Sequence, residues 1–324
     1  MGGLARVHPI GVWLPPPPVT LGDLAERHGG TVDDGARTFA VRRVAPVEHG
    51  EASDLCPLTS RRHLAAALAS RSLLLVSAEL ASLVPPGRRW VHLYASFALS
   101  ALLADLDPPR QRLQSDRASI DPGAKLAPDV AIAPFAVIMD DVTIGPGSVV
   151  EAHAVIYPRV RIGARVIIGA SAVVGRPGFG WAAGPAGAVA RIPQLGGVVI
   201  EDDVEIGPLA TVDAGTLAPT LIRCGTRLDA HVHVGHNASL GPSVMVAAQS
   251  GFAGSVDIGA GARIGGQAGI ADHVHVGPGA HIAAKSGVIG DVAAGQVVAG
   301  YPAVERRRWL RGMARLLRPE NKRK

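Results

Sequence analysis

From Ile120 onward an aliphatic residue returns at every sixth position. Ile120, Leu126, Ile132, Ile138, Ile144, Val150, Ile156, Ile162, Ile168 and Val174 form one unbroken series. The register resumes at Ile200, Ile206 and Val212. After a short insertion it runs from Ile222 through Leu228, Val234, Leu240, Val246, Phe252, Ile258, Ile264, Ile270, Val276 and Ile282 to Val288. Neither the 3.6-residue repeat of an α-helix nor the two-residue repeat of a strand gives this spacing. A period of six belongs to a parallel β-helix, in which each hexapeptide makes one flat side of a coil and turns its aliphatic residue inward. Three sides then make a coil of 18 residues. Stacked coils bury one continuous apolar core and bond their backbones at about 4.8 Å spacing, so one period satisfies both the apolar and the polar groups. Hexapeptide repeats go with the left-handed form, and that hand is expected here.

The repeat occupies only part of the chain. Ahead of it, "VTLGDLAERHGG" at 19–30 reads as a helix capped by Thr20 and ended by glycines. "SRRHLAAAL" and "YASFALSALLADL" read as helices, and "RSLLLVS" and "RRWVHLY" as buried strands. The expected organisation is a flexible leader over 1–18, a small α/β domain over 19–108, a mainly β parallel β-helix over 109–302, and a basic C-terminal helix and tail over 303–324. Within the β-helix the register breaks from 176 to 197, "RPGFGWAAGPAGAVARIPQLGG". This glycine-rich excursion carries Phe179 and Trp181, and loops leaving a rigid scaffold are where function concentrates.

Composition narrows the classes. No run approaches the roughly 20 apolar residues of a membrane helix, so a soluble chain without stable membrane insertion is expected. Cys56 and Cys224 are far apart in sequence, which makes a disulfide framework improbable and a reducing, cytoplasmic compartment the simplest assignment. The formal charge of +5 is unevenly spread. Residues 304–324 carry nine Lys/Arg against two Glu, a net of +7, which leaves about −2 for the rest. Such a tail favours an acidic partner or is simply a solvated helix face.

The stretch "DAHVHVGHNASLG" at 229–241 concentrates chemistry. Positions 18 apart sit on adjacent coils, so His236 is expected over Gly254 and His273 close to two coils along. A neutral imidazole in a cleft is a suitable general base near pH 7. Asp229, seven residues earlier, is a candidate to orient it, and the Gly254 amide a candidate to stabilise an oxyanion. The plain alternative is that these histidines are only exposed, and His231 and His233 are assigned to that class. A zinc site is the third option, since the repeat resembles that of the gamma-class carbonic anhydrases. That family needs a further histidine about two coils earlier, and Leu195 stands there. No metal is therefore expected.

The string "HVGHNASLGPSVMVAAQSGFAGSVDIGAGARIGGQAGIADHVHVGPGAHIAAKSGV", then "AGQVVAGYPAVERRRWLR", resembles the UDP-3-O-(3-hydroxyacyl)glucosamine N-acyltransferases of lipid A biosynthesis. The likeness extends to "VTLGDLAERHGG", "GFGWA" and "RIPQLGGVVIEDDVEIG", and so covers nearly the whole chain from residue 19. It implies a homotrimer with active sites between adjacent β-helices. It also implies a 3-hydroxyacyl group delivered on acyl carrier protein, a nucleotide-sugar acceptor, and no cofactor. By position it assigns His236 as catalytic base, Gly254 as oxyanion-hole glycine, His273 as second histidine and Asp229 as the aspartate near the base. Phe179, Gly180, Trp181, Asn237, Ser60 and His63 become candidates for substrate binding. An acidic carrier protein would suit the arginine-rich tail and turns the partner away from nucleic acid.

Departures from the family pattern gather on recognition. The motif F-x-x-N-x-x-Y, which holds the uracil, has Pro57, Ser60 and His63 at its three places. In "TVDAGTLAPT" Ala214 stands for an arginine and Pro219 for an aspartate, and "D-G-F-G" reads "PGFG" at 177–180. Two alternatives follow: the same chemistry on another sugar amine, or a non-catalytic trimeric β-helix serving as a binding module.

Overall fold

A computed structural model describes residues 12–14, 17–106 and 114–316. The chain divides into two compact units, residues 1–110 and 111–324. Most of the expected leader, the junction at 107–113 and the tail beyond 316 lie outside the described residues.

The first unit is built on a six-stranded sheet. In spatial order its strands are Val12–Trp13, Arg43–Val44, Asp54–Leu58, Leu73–Ser77, Arg89–His92 and Thr31–Val32. Val12–Trp13 pairs antiparallel with Arg43–Val44, and the Arg43 guanidinium lies 5.5 Å from the centre of the Trp13 ring. That part of the expected leader is therefore an edge strand. Val12 and Trp13 precede the proline run, and residues of these types suit a strand. Helix α1, Leu21–His28, begins at a reciprocal cap: Thr20 Oγ1 accepts from the Asp23 N–H, and the Asp23 carboxylate accepts from the Thr20 N–H. Helices α2, Leu64–Ala69, and α3, Ala95–Leu106, complete the unit. Successive residues of the central strand enter different cores. Leu73 and Leu75 pack with Leu21, Leu24, Trp90 and Leu102, whereas Leu74 and Val76 pack with Val47, Leu58 and Leu80.

The second unit is a parallel β-helix with three faces of eight, ten and nine strands. The first face contains Lys125–Leu126, the second Ala131–Ile132 and the third Val137–Ile138. Each strand pairs with the one a full coil later, as Leu126 with Ile144 and Ile138 with Ile156. The sixth-position residues line the interior, with Ile144, Val174, Ile206, Val234 and Ile264 at most 2% exposed. Buried hydroxyls join coils at the corners: Ser148 Oγ donates to the Gly163 carbonyl and accepts from the Val166 N–H. Non-glycine residues recur there with positive φ, among them Asn237 (61°), Ser255 (61°) and His273 (57°). At the end of the unit Val297–Ala299 joins the second face and pairs antiparallel with Val304–Glu305, which leads into helix α4, Arg306–Leu316.

The period is interrupted twice. Ile162 pairs with Ile200 and Ile200 with Ile222, so twenty and then four residues beyond a regular coil are looped out. Both excursions leave the third face, after Val173–Pro177 and after Thr211–Ala214, and both return on the first face. They therefore leave from one edge of the prism.

Candidate active site at one edge of the prism

His236 sits at this same edge. It follows His233–Val234 on the third face and precedes Ser239–Leu240 on the first. The next coils bring Gly254 and then His273 to the same corner. The His236 ring lies against Gly254: a Cβ built on that glycine would fall 2.7 Å from Cε1 and 2.8 Å from Nε2. Only a glycine leaves room for the ring in this place. The long excursion closes over the other side, where a Cβ on Gly178 would come 2.7 Å from the His236 Cβ. His236 is half-buried. Its Nδ1 lies 3.0 Å from Asn237 Oδ1.

Gly254 has the backbone group its expected role requires. Ala253 donates to the Ile270 carbonyl and Ser255 to the His236 carbonyl, but among the described residues the Gly254 N–H meets no acceptor. The Gly254 carbonyl accepts from the His273 N–H at 3.2 Å, and the His273 side chain is exposed. His236, Gly254 and His273 are thus brought together by stacking alone.

Asp229 is not the partner of His236 within the chain. It lies at the preceding corner, between Arg227–Leu228 on the second face and His233–Val234 on the third. Its carboxylate accepts from the N–H groups of Ala230 at 2.7 Å and Ala248 at 3.2 Å. Seven residues exceed the six-residue side of a coil, so the interval leads to a different edge.

The carboxylate near His236 is Asp213, which sequence reasoning did not single out. It is 2% exposed and follows Val212, which pairs with Val234. Arg176 Nε is 3.3 Å from Oδ1, yet that buried oxygen accepts no hydrogen bond, and His233 Nε2 is 3.9 Å from Oδ2. Burial pushes the Asp213 carboxyl above the usual carboxylate range, against the lowering charges of His233 and Arg176. His233 also lies 2.7 Å, through Nδ1, from Thr211 Oγ1. His231 and His233 are both exposed. Among the described residues no three His, Cys, Asp or Glu side chains converge as a metal site would require.

The excursion is an antiparallel hairpin of Trp181–Ala183 with Val189–Arg191. Phe179 is 82% exposed, and Trp181 is partly covered by the Arg191 guanidinium, 5.6 Å from its ring centre. A Cβ on Gly180 would strike Gln194 Nε2 at 2.5 Å, so that glycine lets the hairpin fold back on the buried Gln194. Ser60 and His63 belong to the first unit. Ser60 caps the short helical turn Arg61–His63, while His63 Nδ1 lies 2.6 Å from Glu48 Oε1. His63 and Pro57 line a cavity of about 480 Å³ with Val44, Val47, Leu99 and Leu103, which is apolar apart from Glu48, Thr59 and His63.

The hexapeptide prism has parallels among known proteins. Residues 123–157 match the family described as Bacterial transferase hexapeptide (six repeats). A UDP-N-acetylglucosamine acyltransferase from Campylobacter jejuni superposes with a TM-score of 0.54 at 28% identity, over 59% of this chain and 73% of that one. The corresponding enzyme from Bacteroides fragilis 9343 gives 0.56 at 25% identity, over 64% and 79%. The fold and these matches define a hexapeptide-repeat acyltransferase on a left-handed β-helix.

Whole-chain relatives narrow this. The UDP-3-O-acylglucosamine N-acyltransferase of Anaeromyxobacter dehalogenans (strain 2CP-C) is 38% identical over 329 residues, spanning 92% of this chain and 91% of the relative. That of Sinorhizobium fredii (strain NBRC 101917 / NGR234) is 38% identical and covers 94% of each. The chain belongs to the UDP-3-O-acylglucosamine N-acyltransferase family.

Proposed function

We propose that this chain transfers a 3-hydroxyacyl group from acyl carrier protein to the 2-amino group of UDP-3-O-(3-hydroxyacyl)glucosamine, with His236 as general base. The observation that carries the reading is the contact between the His236 ring and Gly254, whose N–H has no acceptor among the described residues. The neutral amine attacks the thioester carbonyl carbon, and its proton passes to His236 Nε2. As the C–N bond forms, the carbonyl oxygen gains negative charge, which the Gly254 N–H stabilises. Collapse restores the carbonyl and breaks the C–S bond. The leaving thiolate then takes the proton from the imidazolium, and His236 returns to its neutral form.

The family's homotrimer, with sites between adjacent β-helices, fits an edge at which His236 and Phe179 are accessible in a single chain. Helix α4, with five arginines in eleven residues, suits the acidic carrier protein as partner. The enzyme belongs in the cytoplasm on this reading, where the carrier protein and nucleotide sugar are made available. A second acceptor is favoured by one specific observation: among the described residues the cavity beside His63 is lined by no Phe, Tyr or Trp and bears one acid–imidazole pair. A different sugar amine would use the same His236 chemistry.

His236→Ala tests the assignment. Loss of the base is expected to lower kcat by about 10² to 10⁴, with the far-ultraviolet circular dichroism and melting temperature unchanged. Full activity in that variant would remove His236 from the mechanism.

A further inference from the structure

The side chains around His236 fix which of its nitrogens is basic. Asn237 Oδ1 faces the Thr216 backbone N–H at 3.1 Å, a group that can only donate. The other end of the same amide, Nδ2, faces the Ala218 carbonyl at 3.3 Å, a group that can only accept. These two contacts orient the amide independently and in the same sense. The atom 3.0 Å from His236 Nδ1 is therefore an oxygen, which has no proton to give. Nδ1 must carry the hydrogen, and in the neutral ring the lone pair then lies on Nε2, on the edge of the ring that faces Gly254.

Thr216 and Gln194 extend the constraint. Thr216 Oγ1 is 2.8 Å from Asn237 Oδ1 and also 2.8 Å from Gln194 Oε1. Gln194 is 4% exposed, and its Nε2 donates to the Ile192 carbonyl, which turns Oε1 toward the threonine. One hydroxyl proton is thus shared between two amide oxygens. One of them belongs to the residue beside the base and the other to the long excursion. Asn237 occupies a left-handed corner, a conformation its side chain tolerates, and its N–H donates to Thr220 Oγ1 at 2.9 Å.

We infer that Asn237, clamped by Thr216 and Ala218, is a positioning residue that holds His236 in the tautomer protonated on Nδ1, and that Thr216 and Gln194 tie the 176–197 excursion to that clamp. Within the chain it is this amide, and not Asp229, that meets the His236 ring. The inference rests on the proposed role of His236 for its catalytic meaning, but not for its structural content. The two excursions acquire a purpose: the shorter delivers Thr216 and Ala218 to the corner where the base sits, and the longer delivers Gln194, which braces Thr216.

Magic-angle-spinning NMR of [¹⁵N]histidine-labelled protein, at a pH where the ring is neutral, reads the tautomer directly. The His236 resonances are assigned by their loss in His236→Gln. Nδ1 is expected to appear protonated and Nε2 unprotonated; the reverse would overturn the inference whatever the activity. In Asn237→Ala the tautomer is expected to lose its bias, and kcat to fall by about 10² with KM little changed. Asn237→Asp keeps the acceptor and is expected to recover most of that loss. Its added carboxylate would also move the acidic limb of the kcat/KM profile to higher pH, by favouring the imidazolium beyond the influence of Asp213, His233, Arg176 and Arg191. Equal kcat in Asn237→Ala and wild type would also overturn it. If the wild-type protein transfers no acyl group at all, the proposed function fails, while the ring-nitrogen measurement still decides the clamp.

Discussion

Replacing Gly254 by alanine separates the geometry of the base from its mere presence. The new methyl carbon would lie 2.7 Å from His236 Cε1 and 2.8 Å from Nε2. Carbon atoms in ordinary contact sit about 3.5 to 4.0 Å apart, so the ring must retreat by roughly 1 Å. A displacement of that size at a reacting group costs about 10² in rate, equivalent to about 2.7 kcal/mol of barrier. The alanine keeps the backbone N–H, so the loss would report the imidazole and not the oxyanion donor. Stability should hardly change, because the clash is with the end of a rotatable side chain at a half-buried corner; about 0.5 kcal/mol is the scale for such sites. Gly235→Ala is the contrast. Its Cβ would meet the Phe252 carbonyl oxygen and the Ala253 carbonyl carbon at 2.8 Å, atoms that move only if the coils part. That change is expected to lower stability by about 1 to 3 kcal/mol. Amide formation from 3-hydroxyacyl carrier protein, measured beside the melting temperature for both variants, checks the pair. A Gly254→Ala enzyme with wild-type kcat would refute the claim that the ring works from its place on Gly254.

Other outcomes follow from the same physics. Ile264→Asp puts a carboxylate into the prism interior, where Ile264 is 2% exposed; a loss of about 5 kcal/mol or more is expected in urea unfolding, and a wild-type midpoint would contradict the inward register. The Arg89 hydrogen bond draws the Asp33 carboxyl down to about 2, below its usual 3.8. A lowered folded-state value stabilises above the unfolded pKa and fades as pH falls, so Asp33→Asn should cost about 2 kcal/mol at pH 7 and progressively less between pH 4 and pH 2. Unfolding followed by the fluorescence of the buried Trp90 would contradict this if the difference stayed constant. Asp213 has the opposite sign: its raised carboxyl favours the folded state while protonated and loses that contribution as pH rises. The melting temperature of Asp213→Asn relative to wild type should therefore climb between pH 4 and pH 8, and a falling difference would contradict the burial argument.

How far the sequence could be read depended on where the period held. Residues 18 apart stack, so the contact of His236 with Gly254 follows from counting, and the inward set from Ile120 to Val288 follows from the same rule. Counting also separates Asp229 from His236 within one chain: an interval of seven crosses a whole six-residue side, so Asp229 falls at the preceding corner. Thr216, Gln194 and Gly178 lie where the period is broken, and a repeat says nothing about residues outside it. Asp213 keeps the register but was hidden by its company, since an acid within "TVDAGT" gives no sign of being 2% exposed. Asn237 was readable from the family resemblance only as a candidate for substrate binding. Its role depends on an amide orientation set by Thr216 and Ala218, both in the shorter insertion. In the first unit the Thr20 cap gave α1 and a continuous apolar run gave the central strand, while the proline run obscured the Val12–Trp13 strand.

Mass spectrometry of the product tests the central claim most directly. Wild-type protein incubated with 3-hydroxyacyl carrier protein and UDP-3-O-(3-hydroxyacyl)glucosamine should add one acyl group to the acceptor. Alkaline hydroxylamine should then remove the 3-O-acyl ester that the acceptor already carried and leave the new chain as an amide on the 2-amine, and the product should form at least about 10²-fold more slowly with His236→Ala. An unmodified acceptor, or a product whose new chain hydroxylamine also cleaves as an ester, would contradict the account.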